Sequence, residues 1–361
     1  MFGSTSKIVP TWENNKTTEP GDTLCEKGPE DSITAIRFSN SPNLETDSQF
    51  ISCSSWDETV KIWEISSPFG KSVNSSLKGS TSMDASVLSH CWSPDNTVLF
   101  GACVDSQVKM WDIGKDSIQQ VGVHDSCVKD ICFCEKNNLI ISTGWDGHMK
   151  FWDLRSSTPV FDISVEPAKI WSFSYCYPLM VGLLSDNTIF VFDIDKITKK
   201  AVTCPDKISE SPLKYQNRCV EVFPDAKGYI VSSIAGRCGV VNIDFNNLDA
   251  TSNSDFKFKC HRVNSNNNDA YAVHQISFNK KYSTFATCGG DGNYFIWDKK
   301  NKKRLKTTRG CDAPITACKM NDNASMVAYS FGYDWSKGYN TSTPPPVGLF
   351  IHPTTENEIK G

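Results

Sequence analysis

The stretch Trp145-Asp146-Gly147-His148-Met149-Lys150-Phe151-Trp152-Asp153 decides how this chain folds. It opens on a Trp-Asp-Gly turn and runs directly into a segment rich in aromatic and large apolar residues. Asp and Gly accept the backbone of a tight turn, and aromatic side chains suit a pleated surface. Just upstream lies a second apolar run, Leu139-Ile140-Ile141-Ser142, so the two runs read as a hairpin. The same pattern returns on both sides. It is present as Phe50 to Trp63 around Trp56-Asp57, as Val104-Asp105 to Trp111-Asp112, as Ser185-Asp186 to Phe192-Asp193 and as Gly290-Asp291 to Trp297-Asp298. A degenerate copy runs from Ala235-Gly236-Arg237 to Asn242. An interrupted copy begins Tyr333-Asp334-Trp335, carries an insertion with Pro344 to Pro346, and resumes at Val347 to Phe350.

Seven copies make a repeat protein. The terminal aromatics of the first three fall at 63, 111 and 152, steps of 48 and 41, which bracket the ~40–45-residue blade of a WD repeat. Upstream of each hairpin is another apolar run: Ile33–Phe38, Val87–Trp92, Val128–Phe133, Ile170–Phe173, Arg218–Phe223, Val273–Phe278 and Ile315–Met320. These are expected to be the innermost strands of seven blades. A single blade cannot bury both faces, whereas a ring of blades can. The expected fold is therefore all-β, a seven-bladed WD40 β-propeller. The last blade is nearly out of chain after Phe350-Ile351-His352-Pro353, so Thr23-Leu24-Cys25-Glu26 is expected to supply its outer strand and close the ring. In this reading residues 1–21 are a flexible tail, residues 22–356 a single propeller and residues 357–361 a short tail.

Composition excludes several function classes. Mean hydropathy is −0.36, and no apolar run approaches the ~18–20 residues that span a bilayer, so no membrane insertion is expected. The N-terminal Met1-Phe2-Gly3-Ser4 lacks the apolar core of a signal peptide. Fifteen cysteines without such a signal point to free thiols in a reducing compartment. Cys127, Cys132 and Cys134 are closely spaced, but C-x4-C-x-C is not a usual zinc pattern, and core packing in a strand is expected instead. No metal and no cofactor are expected. A net charge of −4 carries no overall polyanion-binding signature. One local run departs from that balance: Lys299, Lys300, Lys302, Lys303, Arg304 and Lys306. It reads as a solvated hairpin, with an RNA-binding or acidic-protein patch as the sharper alternative.

The recurring turn aspartates are structural in this reading, because catalysis needs one pair in one pocket and not one carboxylate per blade. In the third blade His124, Ser142, Asp146 and Trp152 stand where WD proteins place a buried hydrogen-bonded tetrad, since buried polar groups need partners. Phosphate-loop, nucleophile-elbow and zinc-helix motifs are absent, so neither an enzyme nor a small-molecule substrate is expected. The turns between second and third strands open on the same rim as the links between blades. Trp56, Trp145 and Trp335 lie there, residue types that dominate interface energetics. Arg237 is read as occupying the turn slot held by Gly147 and Gly292, which would put a cation on that rim.

At these residues the chain resembles the Rae/Gle family of nuclear-pore mRNA-export WD-repeat proteins, whose sister is the Bub-type spindle-checkpoint WD protein. The resemblance runs from about Asp31 to Pro353. It rests on Ser211-Pro-Leu-Lys-Tyr-Gln-Asn-Arg-Cys219, Ser232-Ser-Ile-Ala-Gly-Arg237, Phe258-Lys-Cys-His-Arg262, Tyr271-Ala-Val273, Val108–Asp112 and Lys150–Ser157. Tyr333-Asp-Trp-Ser-Lys-Gly338, Lys299 with Leu305-Lys-Thr307, and the Met-Phe-Gly start favour the export family. Phe223-Pro-Asp-Ala-Lys-Gly-Tyr229 leans to the checkpoint sister. One departure is Ala235, where the family usually has Glu.

The resemblance implies a non-enzymatic adaptor located at the nucleus, the nuclear pore and the cytoplasm. It implies capture of a hook-shaped peptide on the rim, the Gle-binding sequence, which carries an acidic pair. The partner implied is a phenylalanine-glycine nucleoporin, with mRNA–protein particles in the same process. A checkpoint kinase partner and direct RNA binding are the alternatives. Arg218 and Arg237 match the basic positions that receive acidic or phosphorylated motifs, and guanidinium suits them because it forks onto carboxylate or phosphate. Lys214, Lys259 and Arg262 are further candidates on the same arc.

Overall fold

The computed structural model describes residues 18–40, 48–66, 73–199, 204–245, 247–248, 252–263, 269–308, 310–311, 313–338 and 346–360. They form seven four-stranded antiparallel sheets and two short helices, Ile194–Lys199 and Glu356–Ile359. Six blades are simple meanders that run from the inside of the ring to its edge. Their innermost strands begin at Ile33, Val87, Val128, Ile170, Asn217 and Val273, and that of the seventh begins at Ile315, each within one residue of the run expected from sequence. The second strand of each blade is the core element. Leu139–Gly144, Leu179–Leu184, Gly228–Ser233, Thr284–Gly289 and Met326–Phe331 are buried along their whole length. They are covered on both faces by neighbouring blades, so they read as continuous apolar runs without alternation. The outermost strand of the first blade, Asn74–Ser82, instead alternates exposed and half-buried residues. It has one face on the ring and one in water, which explains its weak sequence signal.

Blades meet through an aromatic-on-glycine contact. A Cβ on Gly79 would lie 3.0 Å from the Trp111 ring, and one on Gly122 only 2.3 Å from the Trp152 ring. Each indole thus lies directly on the bare backbone of the preceding blade's outer strand.

Ring closure uses the chain's N-terminal segment. Thr23 pairs with Ile351 and Leu24 with Phe350, which completes the seventh blade. Polar groups reinforce this seam. Asp22 accepts hydrogen bonds from His352 Nδ1 (2.7 Å) and from the Tyr329 hydroxyl, and Lys306 pairs with Glu358 at 2.5 Å and lies 2.8 Å from His352 Nε2. The expected C-terminal tail at 357–361 is corrected here. Glu356–Ile359 is a helix docked on the seam, with Ile359 buried in the core of the sixth and seventh blades and its carbonyl bonded by Thr284. Four residues have too little intrinsic helicity to announce themselves; tertiary contacts hold them. The tail expected at 1–21 falls outside the described residues up to position 17. Glu19 already belongs to the seam, 3.9 Å from Lys306. Residues 339–345 of the seventh-blade insertion also fall outside the described residues.

Burial opposes a charged His352, and Lys306 adds to that, but hydrogen bonds to Asp22 and Glu358 outweigh both and raise its pKa above the usual imidazole value. A raised folded-state pKa contributes stability at pH below the unfolded value, ~6.5, and loses it as pH climbs through the folded value. The melting temperature is therefore expected to fall between about pH 6 and about pH 8 by more in the wild type than in His352→Gln. Parallel melting curves for the two proteins would exclude a charged clasp.

Among the described residues no group of His, Cys, Asp and Glu is arranged to hold a metal. Cys127 donates to the Val104 carbonyl and Cys134 faces Asn137 and Tyr175.

Candidate functional site at the channel mouth

The seven innermost strands share one irregularity. In each, the pairing register slips by one residue at the same place, leaving Thr34, Leu88, Lys129, Trp171, Arg218, His274 and Thr316 unpaired. Such bulges re-aim side chains. All seven of these residues line one cavity of about 360 Å³ at the mouth of the central channel. The turns between second and third strands complete its wall with Trp56, Trp145, Tyr333, Asp334 and Trp335.

These turns also share a conformation. Glu58, Ser106, Gly147, Asn187, Gly236, Gly292 and Trp335 all have φ between 58° and 79°. Immediately before that residue six blades carry the recurring aspartate: Asp57, Asp105, Asp146, Asp186, Asp291 and Asp334. Each aspartate accepts the backbone N–H two residues on, at 3.0 to 3.2 Å, which closes the turn. The expected position of Arg237 is corrected by this comparison. Gly236, with φ of 58°, holds the slot of Gly147 and Gly292, and Arg237 is the first residue of the following strand. Ala235 takes the aspartate's place and has no side-chain acceptor to offer.

The rim cations therefore separate into two groups. Arg237 pairs across strands with Lys259, which puts both side chains on one face of the fifth blade. Arg262 is tied to the same turn, donating to the Ala235 carbonyl at 2.7 Å and reaching the Gly236 carbonyl at 3.4 Å, so its guanidinium braces the turn that lacks an aspartate. Arg218 stands two strands inward, exposed on its bulge in the channel mouth. Lys214 is exposed on the link into the fifth blade. Trp56 and Trp335 are 41% and 55% exposed. Trp145 is half-buried and meets Trp171 edge to face, with centroids 5.6 Å apart.

Electrostatically the mouth is rich in donors. The indole N–H groups of Trp145 and Trp171 are buried and find no acceptor among the described residues. Lys129 has only a distant carboxylate, Asp130 at 3.9 Å. His274 is pushed below the usual imidazole range by burial, with Arg218 adding to the effect, and it donates Nε2–H to Asp334 at 3.1 Å. Asp334 stays ionised: burial works against it, but the bonds from His274 and Ser336 hold its pKa at about 2.

His124, Ser142, Asp146 and Trp152 form one buried hydrogen-bond chain. His124 bridges Asp146 (2.9 Å) and Ser142 (2.7 Å), and Trp152 donates to Ser142 at 2.8 Å. A second such chain, which the sequence reading missed, joins His261, Thr287, Asp291 and Trp297 in the sixth blade at 2.7, 2.9 and 3.0 Å. The indole of Trp152 shields the Ser142 hydroxyl, which lies 0% exposed, so the set has no opening for a substrate.

The basic run does not form one patch. Lys299, Lys300 and Lys302 lie on the turn after the sixth blade's third strand, Tyr294–Asp298, and Lys303, Arg304 and Lys306 on its fourth, Lys303–Thr307, and their side chains part company. Lys299 lies 3.6 Å over the Phe223 ring, Lys302 4.7 Å over Phe256 and Arg304 5.4 Å over Phe295, all on the side of the fifth blade. Lys300 and Lys303 are exposed. Lys306 is corrected as an RNA-binding candidate, because its side chain is 9% exposed and committed to the closure seam. Lys306→Gln is expected to lower the melting temperature by several degrees and to leave the salt dependence of RNA binding unchanged. Gln at Lys300, Lys302 and Lys303 together should do the reverse, because phosphate contacts set the salt slope. Melting curves and RNA titrations at two salt concentrations check both.

The family model described as "WD domain, G-beta repeat" matches residues 20–64, 71–112, 115–153 and 256–298. The chain is 35% identical to the "Poly(A)+ RNA export protein" of Schizosaccharomyces pombe, over 94% of this chain and 92% of that protein. It is 34% identical to "Protein Rae1" of Drosophila melanogaster over 100% and 99% of the two lengths. It is 33% identical to "mRNA export factor GLE2" of Chaetomium thermophilum over 92% and 90%. With this identity sustained around the whole ring, the chain belongs to the Rae1/Gle2 mRNA export factor family of WD-repeat β-propellers.

Proposed function

We propose that this protein is a non-enzymatic adaptor in mRNA export that captures an acidic peptide segment, the Gle-binding sequence of a phenylalanine-glycine nucleoporin, across its rim and channel mouth. The names of its relatives supply the process. The observation that carries the binding mode is the imbalance of donors in the mouth. Arg218 and two indole N–H groups, with no acceptor of their own among the described residues, converge on one cavity with Lys129, whose carboxylate partner Asp130 is 3.9 Å away, and an acceptor-rich side chain satisfies them. A buried donor left unmatched costs about 1–3 kcal/mol, so a carboxylate entering the mouth gains from groups that water serves poorly. Arg237 and Lys259 give the same ligand a second basic contact farther out on the fifth blade. Trp335, held with φ of 60°, supports this reading. A bulky residue in that region costs on the order of 1–3 kcal/mol, and its exposed ring is placed to meet a partner.

Calorimetric titration with a nucleoporin Gle-binding-sequence peptide tests the proposal, with a checkpoint-kinase peptide alongside. Binding of the nucleoporin peptide is expected. Tighter binding of the kinase peptide would move the protein to a checkpoint role, and heat from neither would overturn the adaptor reading.

A further inference from the structure

Below the mouth the channel narrows to a second, polar-walled cavity of about 100 Å³. That is roughly three times the share of volume of a liquid water molecule. Its charged wall comes from two levels of the innermost strands. The upper level holds Lys129 and Arg218. The lower level, three residues farther along each strand, holds Arg37, Glu221 and Lys319. Asp130 sits between them.

We propose that this inner cavity binds a small oxyanion of the phosphate class. The two carboxylates are already engaged. Glu221 takes Lys319 at 3.2 Å and the Ser174 hydroxyl at 3.1 Å, and Asp130 accepts the Phe173 N–H at 3.0 Å. Four cations face them, so the wall carries two positive charges in excess. Arg37 reaches only neutral acceptors, the Ile36 carbonyl at 3.0 Å and the Ser89 hydroxyl at 3.4 Å. Neither Arg37 nor Arg218 has a carboxylate within ion-pair distance among the described residues. Like charges gathered in a narrow channel with low-dielectric walls focus a field that recruits a counter-ion. Guanidinium offers five N–H donors in a planar fork that fits the edge of a tetrahedral oxyanion. A dianion balances the excess.

The site does not depend on the adaptor reading, and its existence is tested with the free ion alone. Inorganic phosphate is titrated calorimetrically into the full-length protein, with sodium chloride at matched ionic strength as the control. Saturable binding of one phosphate per chain is expected. Arg37→Gln should weaken it about tenfold or more, a loss of one charge-assisted contact. Lys319→Gln should act in the same direction, because it leaves the Glu221 carboxylate facing the cavity. Glu221→Gln should tighten binding, a change of opposite sign that a variant with a damaged fold would not produce. Arg237→Glu should leave phosphate affinity unchanged while acting on the rim.

Free phosphate and the phosphate of a phosphothreonine peptide share this chemistry. A peptide that displaces phosphate one for one would assign the cavity to a phosphorylated side chain reaching through the mouth, and a peptide that fails to displace it assigns the cavity to the free ion. Heat no greater than that of chloride, or an affinity indifferent to both Arg37→Gln and Glu221→Gln, would overturn the proposal.

Discussion

Arg218→Glu is expected to abolish measurable binding of the Gle-binding-sequence peptide while the protein melts at its wild-type temperature. Two observations lie behind this. Arg218 is exposed on a bulge and makes no ion pair within the described residues, so the fold loses nothing when it goes. It also lines the mouth with Lys129 and two unmatched indoles, so a ligand carboxylate would lose its strongest partner and meet a like charge. Truncating one member of a desolvated charge pair costs ~2–5 kcal/mol, mainly through the off-rate, or about 30-fold to a few thousand-fold in affinity. Arg237→Glu should act in the same direction through the contact it shares with Lys259. Reversing the charge of the peptide's acidic pair should restore part of the binding. Calorimetry of the wild type and both variants against each of the two peptides decides the matter, and wild-type affinity in both Arg variants would sink the site assignment.

Trp152→Ala is expected to be the most destabilising single change in the third blade. The indole is 3% exposed, donates to Ser142 and covers the bare backbone of Gly122 in the neighbouring blade. Its removal opens a cavity at a joint between two sheets, and aromatic-to-alanine changes of this kind cost ~3–5 kcal/mol. Ser142→Ala should cost less, about 1–3 kcal/mol, because it strands His124 Nε2 and the Trp152 N–H without creating a void. Thermal melting and denaturant titration read both. A Trp152→Ala protein that melts within about a degree of wild type would contradict the tetrad's structural role.

The innermost strands and the closure of the ring were legible in the sequence for a physical reason. Each inner run is β-branched or apolar with Gly, Asp or Pro nearby, and a seventh blade short of chain must borrow a strand. The bulges were not legible, because a one-residue slip leaves the apolar pattern almost intact while turning one side chain into the channel. Arg37, Glu221 and Lys319 lie three residues beyond the bulges and were missed for a different reason: each is a single charge inside a largely apolar strand, and only the ring brings them together. Arg237 was placed one residue early in its turn, because a hairpin's register depends on which residue takes the left-handed conformation, and both Gly236 and the position after it stood open. The second histidine chain could have been found. Thr287, Asp291 and Trp297 repeat the spacing of Ser142, Asp146 and Trp152, but a longer link moves His261 farther upstream. Lys306 shows the limit of composition: a lysine in a basic run reads as solvated until the helix at Glu356–Ile359 is seen to cover it.

The pairing of Leu24 with Phe350 has a consequence for the protein's synthesis. The strand that completes the last blade leaves the ribosome first, and its partner follows after roughly 300 residues. At ~5–20 residues per second the wait is on the order of 15–60 s. Through that interval blades can form one after another, but the ring stays open. Until then Gly348–Pro353 and Thr23–Leu24 each present a strand edge able to pair with another chain. Assembly of this molecule is therefore vulnerable at one late moment, when Gly348–Pro353 emerges and takes up Thr23–Leu24.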